Sequence, residues 1–269
     1  MIIGVIGANG FVGRSLCNKF IAELHDVFAF YHVNKSSIPS GCKIFSIDDI
    51  PDVNFDYLYI SIGSHGLTHQ DYLDQYSFLE KILKNIIFTN VIFISSVEVF
   101  GKNTRVINSE SCYNQPSLYG LSKISQEFLI KSCKNFLIIR PTYIYGPGMN
   151  NNSLIPIWSK NAVEKKEILI FGDGKREQDY LFIDDLVELC FLVTNYEVMG
   201  NSIIAATGNS VSNYDLAKLI AGNIPNTAIK FVGQDNSSSV KFDISETVQI
   251  YNWTPKTDVK EGILKLLKK

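Results

Sequence analysis

The chain opens with Met1-Ile-Ile-Gly-Val-Ile-Gly7-Ala-Asn-Gly10-Phe-Val-Gly13. The apolar run up to Ile6 is rich in β-branched residues and is typical of a strand buried on both faces of a parallel sheet. Three glycines, spaced three residues apart, then separate this strand from a predicted helix over residues 11–24. Such glycines permit a tight turn and let the backbone approach a diphosphate, while the helix N-terminus points its positive end at the phosphates. The pattern therefore predicts a dinucleotide-binding βα unit.

Further apolar runs predict the strands that extend this unit into a sheet. They lie at residues 27–31, 43–47, 57–62 and 91–96, and a helix is predicted over residues 71–85. Strands that alternate with helical stretches are typical of βαβ units. We therefore predict an α/β fold with a doubly wound parallel sheet.

The composition narrows the classes of partner. The 269 residues carry a formal net charge of −2 without a basic block or acidic tail, so nothing points to nucleic acid or a membrane surface. The five cysteines are scattered, which predicts reduced thiols rather than a zinc site or a disulfide frame. No apolar run approaches the roughly 18 residues of a transmembrane helix. We expect a cytoplasmic protein without a signal peptide, a membrane partner or a metal.

The end of the second predicted strand bears on the choice of cofactor. NAD-binding folds place a carboxylate there for the adenosine ribose hydroxyls, whereas this chain has Tyr31-His-Val-Asn-Lys35. His32 and Lys35 could meet a 2′-phosphate beside Tyr31, which slightly favours NADP over NAD. Lys35 could equally be a solvated loop residue.

The next two strand ends supply further candidates. Asp48 and Asp49 follow the third strand, where a carboxylate can accept the adenine amino group or belong to a loop or a helix cap. Gly63 follows the fourth strand, where a small residue lets the backbone pass close to a cofactor ribose. His65 and His69 are interpreted as loop residues, because no third metal ligand stands at a suitable spacing.

A predicted helix carries Tyr119-Gly-Leu-Ser-Lys123. Phenol and ammonium, four residues apart, share one face of it. A cation near a phenol lowers the tyrosine pKa towards the working pH and makes tyrosine a usable general acid or base, although a surface pair shows the same spacing. Apolar residues at helical spacing predict which stripe of this helix faces the core: Leu121, Ile124, Phe128 and Leu129.

Three motifs in order and spacing resemble one known family. They are the Gly7 to Gly13 pattern, Ser95-Ser96-x-Glu98-Val-Phe-Gly101 and Tyr119-x-x-x-Lys123. Together they resemble the extended short-chain dehydrogenase/reductase family, the NAD-dependent epimerases and dehydratases that act mostly on nucleotide sugars. The likeness continues through residues 136–148, 168–186, 201–208 and 243–255, and so covers the whole chain.

The resemblance implies how the chain is organised. Residues 1–146, completed by about 181–208, would form a Rossmann domain that binds NAD(P). Residues 147–180 and 209–269 would form a small interleaved substrate-binding lobe. The implied cofactor contacts beyond those already given are Asn9, Phe11, Val12, Ile62, Lys123 and Pro141.

The resemblance also implies a mechanism. Tyr119 would donate or accept the proton at a sugar carbonyl or hydroxyl, Lys123 would hold the nicotinamide ribose, and Ser96 would hydrogen-bond the reacting oxygen. Dehydratases carry an aspartate at the position of Val97, so its absence argues against 4,6-dehydration. Glu98 could act as a base next to a keto group or be a structural carboxylate.

A second departure concerns substrate binding. The family usually has an arginine for the substrate diphosphate at the position of Gln178. Arg176, two residues earlier, could reach the phosphates, whose geometry suits a guanidinium fork. If it does not, other groups hold the diphosphate or the substrate is not a nucleotide sugar.

These observations favour an NAD(P)-dependent oxidoreductase acting on a nucleotide-activated sugar, first of all by reducing a 4-keto-6-deoxy sugar. A 4-epimerase with a resident cofactor is the alternative. A dinucleotide-binding sensor or scaffold without turnover is a third reading, supported by Gln178 and by Ile62-Gly63 where the family usually has two alanines. A homodimer through the tyrosine-bearing helix is also expected, with Leu129, Ile130 and Cys133 as candidate contacts.

Overall fold

The computed structural model of the protein describes residues 1–32, 34–63, 68–102, 106–149 and 153–267. Within them the strands are β1 (Ile2–Ile6), β2 (Asp26–Tyr31), β3 (Lys43–Ser46), β4 (Asn54–Ile60), β5 (Ile87–Ile94), β6 (Val106–Ile107), β7 (Phe136–Pro141), β8 (Tyr143–Tyr145), β9 (Glu167–Phe171), β10 (Glu177–Phe182), β11 (Asn201–Ala205), β12 (Ser210–Ser212), β13 (Ala228–Val232) and β14 (Lys241–Phe242). The helices are α1 (Phe11–Ala22), α2 (His69–Asn85), α3 (Leu118–Ile130), α4 (Leu154–Glu164), α5 (Ile183–Leu192), α6 (Asn213–Gly222), α7 (Ser245–Tyr251) and α8 (Val259–Leu267), with 3₁₀ turns at Val97–Phe100 and Val193–Asn195.

Seven parallel strands form the main sheet in the order β3-β2-β1-β4-β5-β7-β11. The order reverses at β1, which pairs with β2 on one side and with β4 on the other. Ligands of such sheets bind beyond the carboxyl ends of the strands at this reversal. The predicted doubly wound α/β fold is therefore confirmed.

Helices cover both faces of this sheet. In β5, Ile92 and Ile94 pack into the core that includes residues of α1 and α5, and Val91 and Phe93 pack into the core that includes residues of α2 and α3. Because both faces of the sheet are buried, its strands are continuous apolar runs in the sequence and do not alternate between apolar and polar residues.

The strands outside the main sheet form three small sheets, β8-β10-β12, β9-β13 and β6-β14. They lie mostly in the second half of the chain, between and after strands of the main sheet. The division of the chain into a dinucleotide-binding domain and an interleaved lobe stays a prediction. In the described ranges, no helix has the length and apolar character needed to cross a membrane.

The buried face of α3 differs from the predicted stripe. Leu121 and Phe128 are 51% and 68% exposed, whereas Lys123 and Glu127 are 2% and 1% exposed. Ile124 and Leu129 pack partly against the core, as predicted. The prediction was wrong for Leu121 and Phe128, because hydrogen bonds and an ion pair allow charged residues to be buried on this helix, which apolar periodicity cannot register. Ile130 belongs to the core, so it is not available as a dimer contact.

Candidate active site

The glycine turn joins β1 to α1 at the carboxyl edge of the sheet. Gly7 has a φ of +79°, and a Cβ atom there would lie 2.6 Å from the carbonyl oxygen of Ser61. A Cβ atom on Gly13 would lie 2.1 Å from the carbonyl oxygen of Gly7. Gly10 is the N-cap of α1 and offers no side chain to the first-turn N–H groups, which stay suited to an anion. The turn thus fits a dinucleotide diphosphate.

A cavity of about 440 Å³ adjoins this turn, and we call it the glycine cavity. Predicted cofactor residues line it: Gly7, Asn9, Gly10, Tyr31, His32, Ile62 and Gly63. The ring of His32 lies 5.0 Å from the ring of Phe78, another wall residue. Two carboxylates that the sequence reasoning missed, Asp71 and Asp74, also line it.

Three residues predicted to bind the adenosine part of the cofactor, Lys35, Asp48 and Asp49, do not line the glycine cavity. Lys35 and Asp49 are exposed, and the exposed Asp48 carboxylate accepts a hydrogen bond from Lys81 Nζ at 2.8 Å. Ile47, immediately before Asp48, forms the wall in its place. Both residues lie in the turn after β3, where Ile47 is buried and the Asp48 carboxylate pairs with Lys81 at the surface.

Gly63 joins the glycine cavity to a second one, also of about 440 Å³, which we call the serine–tyrosine cavity. A Cβ atom on Gly63 would lie 3.1 Å from Lys123 Nζ. Predicted residues from four segments meet in this cavity: Phe11, Val12, Ser96, Glu98, Tyr119 and Pro141. The predicted catalytic and nicotinamide-side residues are thereby brought together.

Lys123 lines neither of these two cavities; it is buried, and its ammonium group lies next to Gly63. Nζ donates hydrogen bonds to the carbonyl oxygens of Ile62 at 2.6 Å and Ile94 at 2.9 Å. It also lies 4.7 Å from the ring centroid of Phe93 and 5.9 Å from that of Tyr119. Burial lowers the pKa of Lys123 to about 7, although the charge of Glu127 opposes this.

Tyr119 differs from its expected titration. Its pKa is raised, first by burial and then by the negative charge of Glu98, while a hydrogen bond with Ser96 lowers it in part. The expected net lowering by Lys123 was therefore wrong for this environment, because desolvation disfavours a phenolate. Ser96 Oγ also accepts a hydrogen bond from the Glu98 backbone N–H at 3.1 Å, which fixes the serine beside the tyrosine.

Glu98 connects this site to a third cavity of about 500 Å³, which we call the arginine cavity. Ser117 Oγ donates a hydrogen bond to its carboxylate at 3.0 Å. Arg176 and Gln178 line the arginine cavity as well, together with Lys102. Tyr143 lines both cavities, so the three cavities follow one another along the carboxyl edge of the sheet.

Arg176 and Gln178 differ in how firmly the protein holds their side chains. Arg176 hydrogen-bonds Tyr143, and its Nη1 lies 3.9 Å from the carboxylate of Asp235. Gln178 is 6% exposed, and its amide nitrogen donates to Tyr180 Oη at 2.9 Å and to Asn213 Oδ1 at 3.0 Å. Both amide hydrogens of Gln178 are therefore engaged within the protein.

A buried ion pair behind the site was missed by the sequence reasoning. Glu127 and Arg140 bind each other through two hydrogen bonds, from Nε at 2.9 Å and from Nη2 at 2.7 Å. Ser95 Oγ donates to the same carboxylate at 2.6 Å. The sequence signal that could have indicated a buried Glu127 is its position four residues after Lys123, on the same face of the helix.

No metal site was predicted, and His65 and His69 were interpreted as loop residues. His69 is exposed at the start of α2, and His65 lies outside the described residues. Among the residues that the structure describes, no three His, Cys, Asp or Glu side chains come together to hold a metal ion.

Comparison with known proteins identifies the family. Residues 3–205 match the model of the NAD dependent epimerase/dehydratase family. The dTDP-D-glucose 4,6-dehydratase of Dictyostelium discoideum is 31% identical over 160 residues, covering 53% of this chain and 37% of that protein. The dTDP-4-dehydro-6-deoxyglucose reductase of Escherichia coli is 23% identical over 98% of this chain and 96% of that protein.

A solved structure shows the same fold. The UDP-glucuronic acid 4-epimerase of Bacillus cereus in complex with NAD superposes with a TM-score of 0.84 at 20% identity, covering 99% of this chain and 95% of that one. The chain spans only 37% to 44% of the length of four curated relatives that it matches. Because the family model matches most of the chain, the protein belongs to the NAD dependent epimerase/dehydratase family.

Proposed function

We propose that the protein is an NAD(P)-dependent oxidoreductase that reduces the keto group of a nucleotide-activated 4-keto-6-deoxy sugar. The observation that carries the proposal is the meeting of Ser96 and Tyr119 in one cavity, with the Lys123 ammonium enclosed beneath Gly63. Similarity to the Escherichia coli reductase over nearly the full length of both chains is compatible with reduction, and a putative UDP-glucose 4-epimerase of Methanocaldococcus jannaschii matches over a similar length.

The protein groups would act by position and charge. The cofactor supplies the hydride when bound. Tyr119 would donate the proton to the sugar oxygen, and Ser96 would hydrogen-bond that oxygen from the side of the 3₁₀ turn. Lys123, whose ammonium lies 5.9 Å from the centre of the tyrosine ring, would stabilise the phenolate that forms and would orient the cofactor ribose.

Dehydration is disfavoured by the same cavity wall. Val97 stands where an acid would be needed to expel a hydroxyl, and it is 8% exposed. Glu98 does line the cavity, but Ser117 donates a hydrogen bond to its carboxylate. We propose that Glu98 has a structural role, holding the start of α3 against the 3₁₀ turn. This hydrogen bond makes its carboxylate less suited to act as a base.

For the substrate diphosphate we propose Arg176, assisted by Lys102, in the arginine cavity. Both cations line it, and a guanidinium matches two phosphate oxygens. Gln178 lines the same cavity, but its amide hydrogens bind Tyr180 and Asn213. An Arg176→Ala protein should therefore have a raised KM for the nucleotide sugar and a nearly unchanged affinity for the cofactor.

The cofactor choice separates two candidate reactions. His32 in the wall and the missing carboxylate at the end of β2 support NADP, as a reductase would use. Asp71 and Asp74 line the same cavity and would repel a 2′-phosphate, which favours NAD and the second candidate, a 4-epimerase with a resident cofactor. Fluorescence titration with NADPH and NADH decides: a tenfold preference corresponds to about 1.4 kcal/mol.

Turnover tests the proposal directly. The protein would be incubated with a dTDP-linked 4-keto-6-deoxyhexose and NADPH or NADH, following loss of the reduced nicotinamide. We expect Tyr119→Phe to lower turnover by roughly 10²–10⁴-fold. Tyr214→Phe is the matched control, because Tyr214 is 41% exposed on α6 and lines none of the three cavities. Epimerised product without net nicotinamide loss would favour the epimerase, and full biological activity of Tyr119→Phe would favour the non-enzymatic reading.

We also propose a homodimer through α2 and α3. These helices contact each other and expose Leu73, Leu121 and Phe128, which are 60%, 51% and 68% exposed. Leu129 and Cys133 instead pack partly into the core. Light scattering should give twice the 30.2 kDa chain mass, and Phe128→Asp should reduce it to one chain. A wild-type monomer would remove this proposal.

A further inference from the structure

Gln178 and Tyr180 meet at the wall between two cavities. Gln178 lines the arginine cavity, whereas Tyr180 lines the serine–tyrosine cavity. Both belong to β10, and residues two positions apart on a strand project from the same face. The side-chain amide nitrogen of Gln178 donates a hydrogen bond to Tyr180 Oη at 2.9 Å. The Tyr180 hydroxyl therefore lies at the junction of the two cavities, where a sugar in one would be joined to a diphosphate in the other.

A second contact holds the Gln178 amide in this orientation. Its nitrogen also donates to Asn213 Oδ1 at 3.0 Å. Asn213 is itself fixed at the start of α6, because its backbone N–H donates to the carbonyl oxygen of Arg176 at 2.9 Å. Gln178, Tyr180 and Asn213 are all buried, so solvent contributes little to how they are oriented. In the bond between Gln178 and Tyr180, the amide is thus the donor and the phenol oxygen is the acceptor.

The hydrogen of the Tyr180 hydroxyl is left available for a ligand. A phenol oxygen that accepts one hydrogen bond can still donate another. Among the residues that the structure describes, Tyr180 has no hydrogen bond besides the one that it accepts from Gln178. The neighbouring Tyr143, whose ring centroid lies 6.0 Å away, instead hydrogen-bonds Arg176. Because a buried donor without an acceptor is costly, an acceptor on a ligand at this junction would be bound favourably.

We propose that Tyr180 binds the substrate by donating a hydrogen bond to a sugar oxygen next to the diphosphate, and that Gln178 is the positioning residue that turns this hydroxyl towards the substrate. The inference rests on the proposed function, which puts the sugar in the serine–tyrosine cavity and the diphosphate beside Arg176. A nucleotide sugar that spans both cavities passes the junction at its anomeric carbon. The acceptor is therefore the ring oxygen or the hydroxyl oxygen on the next carbon, and not the keto oxygen assigned to Ser96 and Tyr119.

Two probes separate sugar binding from diphosphate binding without turnover. dTDP carries the diphosphate alone and dTDP-glucose carries the sugar as well, and calorimetry gives the affinity for each. Tyr180→Phe removes only the hydroxyl, so we expect it to weaken dTDP-glucose roughly threefold to tenfold and to leave dTDP unchanged. Arg176→Ala should weaken both probes. Tyr214→Phe is the matched control and should change neither, because Tyr214 lines none of the three cavities.

Gln178→Glu tests the positioning role. It keeps the size of the side chain but replaces the donor by a carboxylate, so the Tyr180 hydroxyl would turn to donate to the protein instead of the sugar. Any effect of the new charge on the diphosphate is common to both probes and cancels in the ratio of their affinities. We expect this ratio to fall as in Tyr180→Phe, with no further fall when the two substitutions are combined. A purely structural role of Gln178 would leave the ratio unchanged.

Each outcome bears on the proposal. A folded Tyr180→Phe protein with the wild-type affinity ratio would overturn it, and thermal unfolding shows whether the fold is kept. If Tyr180→Phe does not fold, the ratio in Gln178→Glu decides in the same way. A wild-type protein that binds dTDP-glucose but does not reduce a dTDP-linked keto sugar would refute the proposed reaction and leave this inference intact. A wild-type protein that binds neither probe would overturn both.

Discussion

Gly120 places Tyr119, for which we propose the catalytic role, and replacing Gly120 with alanine tests the geometry of the site. It follows Tyr119 in the first turn of α3 and is buried against the 3₁₀ turn. A Cβ atom there would lie 2.3 Å from the Glu98 carbonyl oxygen and 3.0 Å from Pro116 Cβ. The backbone of Glu98 would have to withdraw by about 1 Å to reach an ordinary contact. Because Ser96 begins the same 3₁₀ turn, this movement separates it from Tyr119.

The magnitudes of two opposing effects decide the expected stability. Alanine is favoured over glycine inside a helix by about 1 kcal/mol, whereas overpacking of this kind costs about 1–3 kcal/mol. We expect a net loss near 1 kcal/mol, or roughly 2–4 °C in Tm. The effect on catalysis should be larger, since a displacement of about 1 Å can cost roughly 100-fold in rate.

The assay compares Gly120→Ala with Gly222→Ala by thermal unfolding, dinucleotide titration and turnover. Gly222 ends α6, and an added Cβ atom there meets nothing within 4 Å, so the control should keep the wild-type rate and have a Tm equal to or slightly above that of the wild type. Dinucleotide affinity should be retained in both proteins, because the glycine turn is untouched. A Gly120→Ala protein with the Tm and turnover of Gly222→Ala would refute this account of how α3 is positioned.

Two further predictions follow from buried groups. Lys123 has a pKa of about 7 in the folded protein and 10.5 ordinarily. Between these two pH values the unfolded chain binds one more proton than the folded protein, so the free energy of unfolding rises with pH. Urea unfolding at several pH values should show this rise in the wild type, and Lys123→Met should lack the part that Lys123 contributes. Gln178→Ala should lower the free energy of unfolding by about 1–3 kcal/mol, because it leaves Asn213 Oδ1 and Tyr180 Oη without their donor. If Gln178→Ala lost more nucleotide-sugar affinity than Arg176→Ala, the role proposed for Arg176 in the arginine cavity would be contradicted.

The order of motifs along the chain was enough to predict the fold and most of the site. Strand ends of a parallel sheet meet at one edge, so residues after β1, β4 and β5 had to converge once the strands were recognised. That is why Gly7, Gly63 and Ser96, far apart in the chain, were correctly expected on the same side. Local spacing also sufficed for Tyr119 and Lys123, since four residues make about one helical turn.

Only the tertiary structure decided how charge is distributed in the site. The direction in which the Tyr119 pKa is shifted depends on desolvation and on Glu98. The buried face of α3 depends on the partner of Glu127, which is Arg140 on β7. Neither burial nor a long-range partner is written in local periodicity. The sequence by itself determined which segments meet, because the order of strands and helices follows from local patterns. Packing between segments distant in the chain decided which side chains are charged, which are paired and which line the cavity. Asp48, for example, pairs with Lys81 of α2, and Ile47 forms the cavity wall instead.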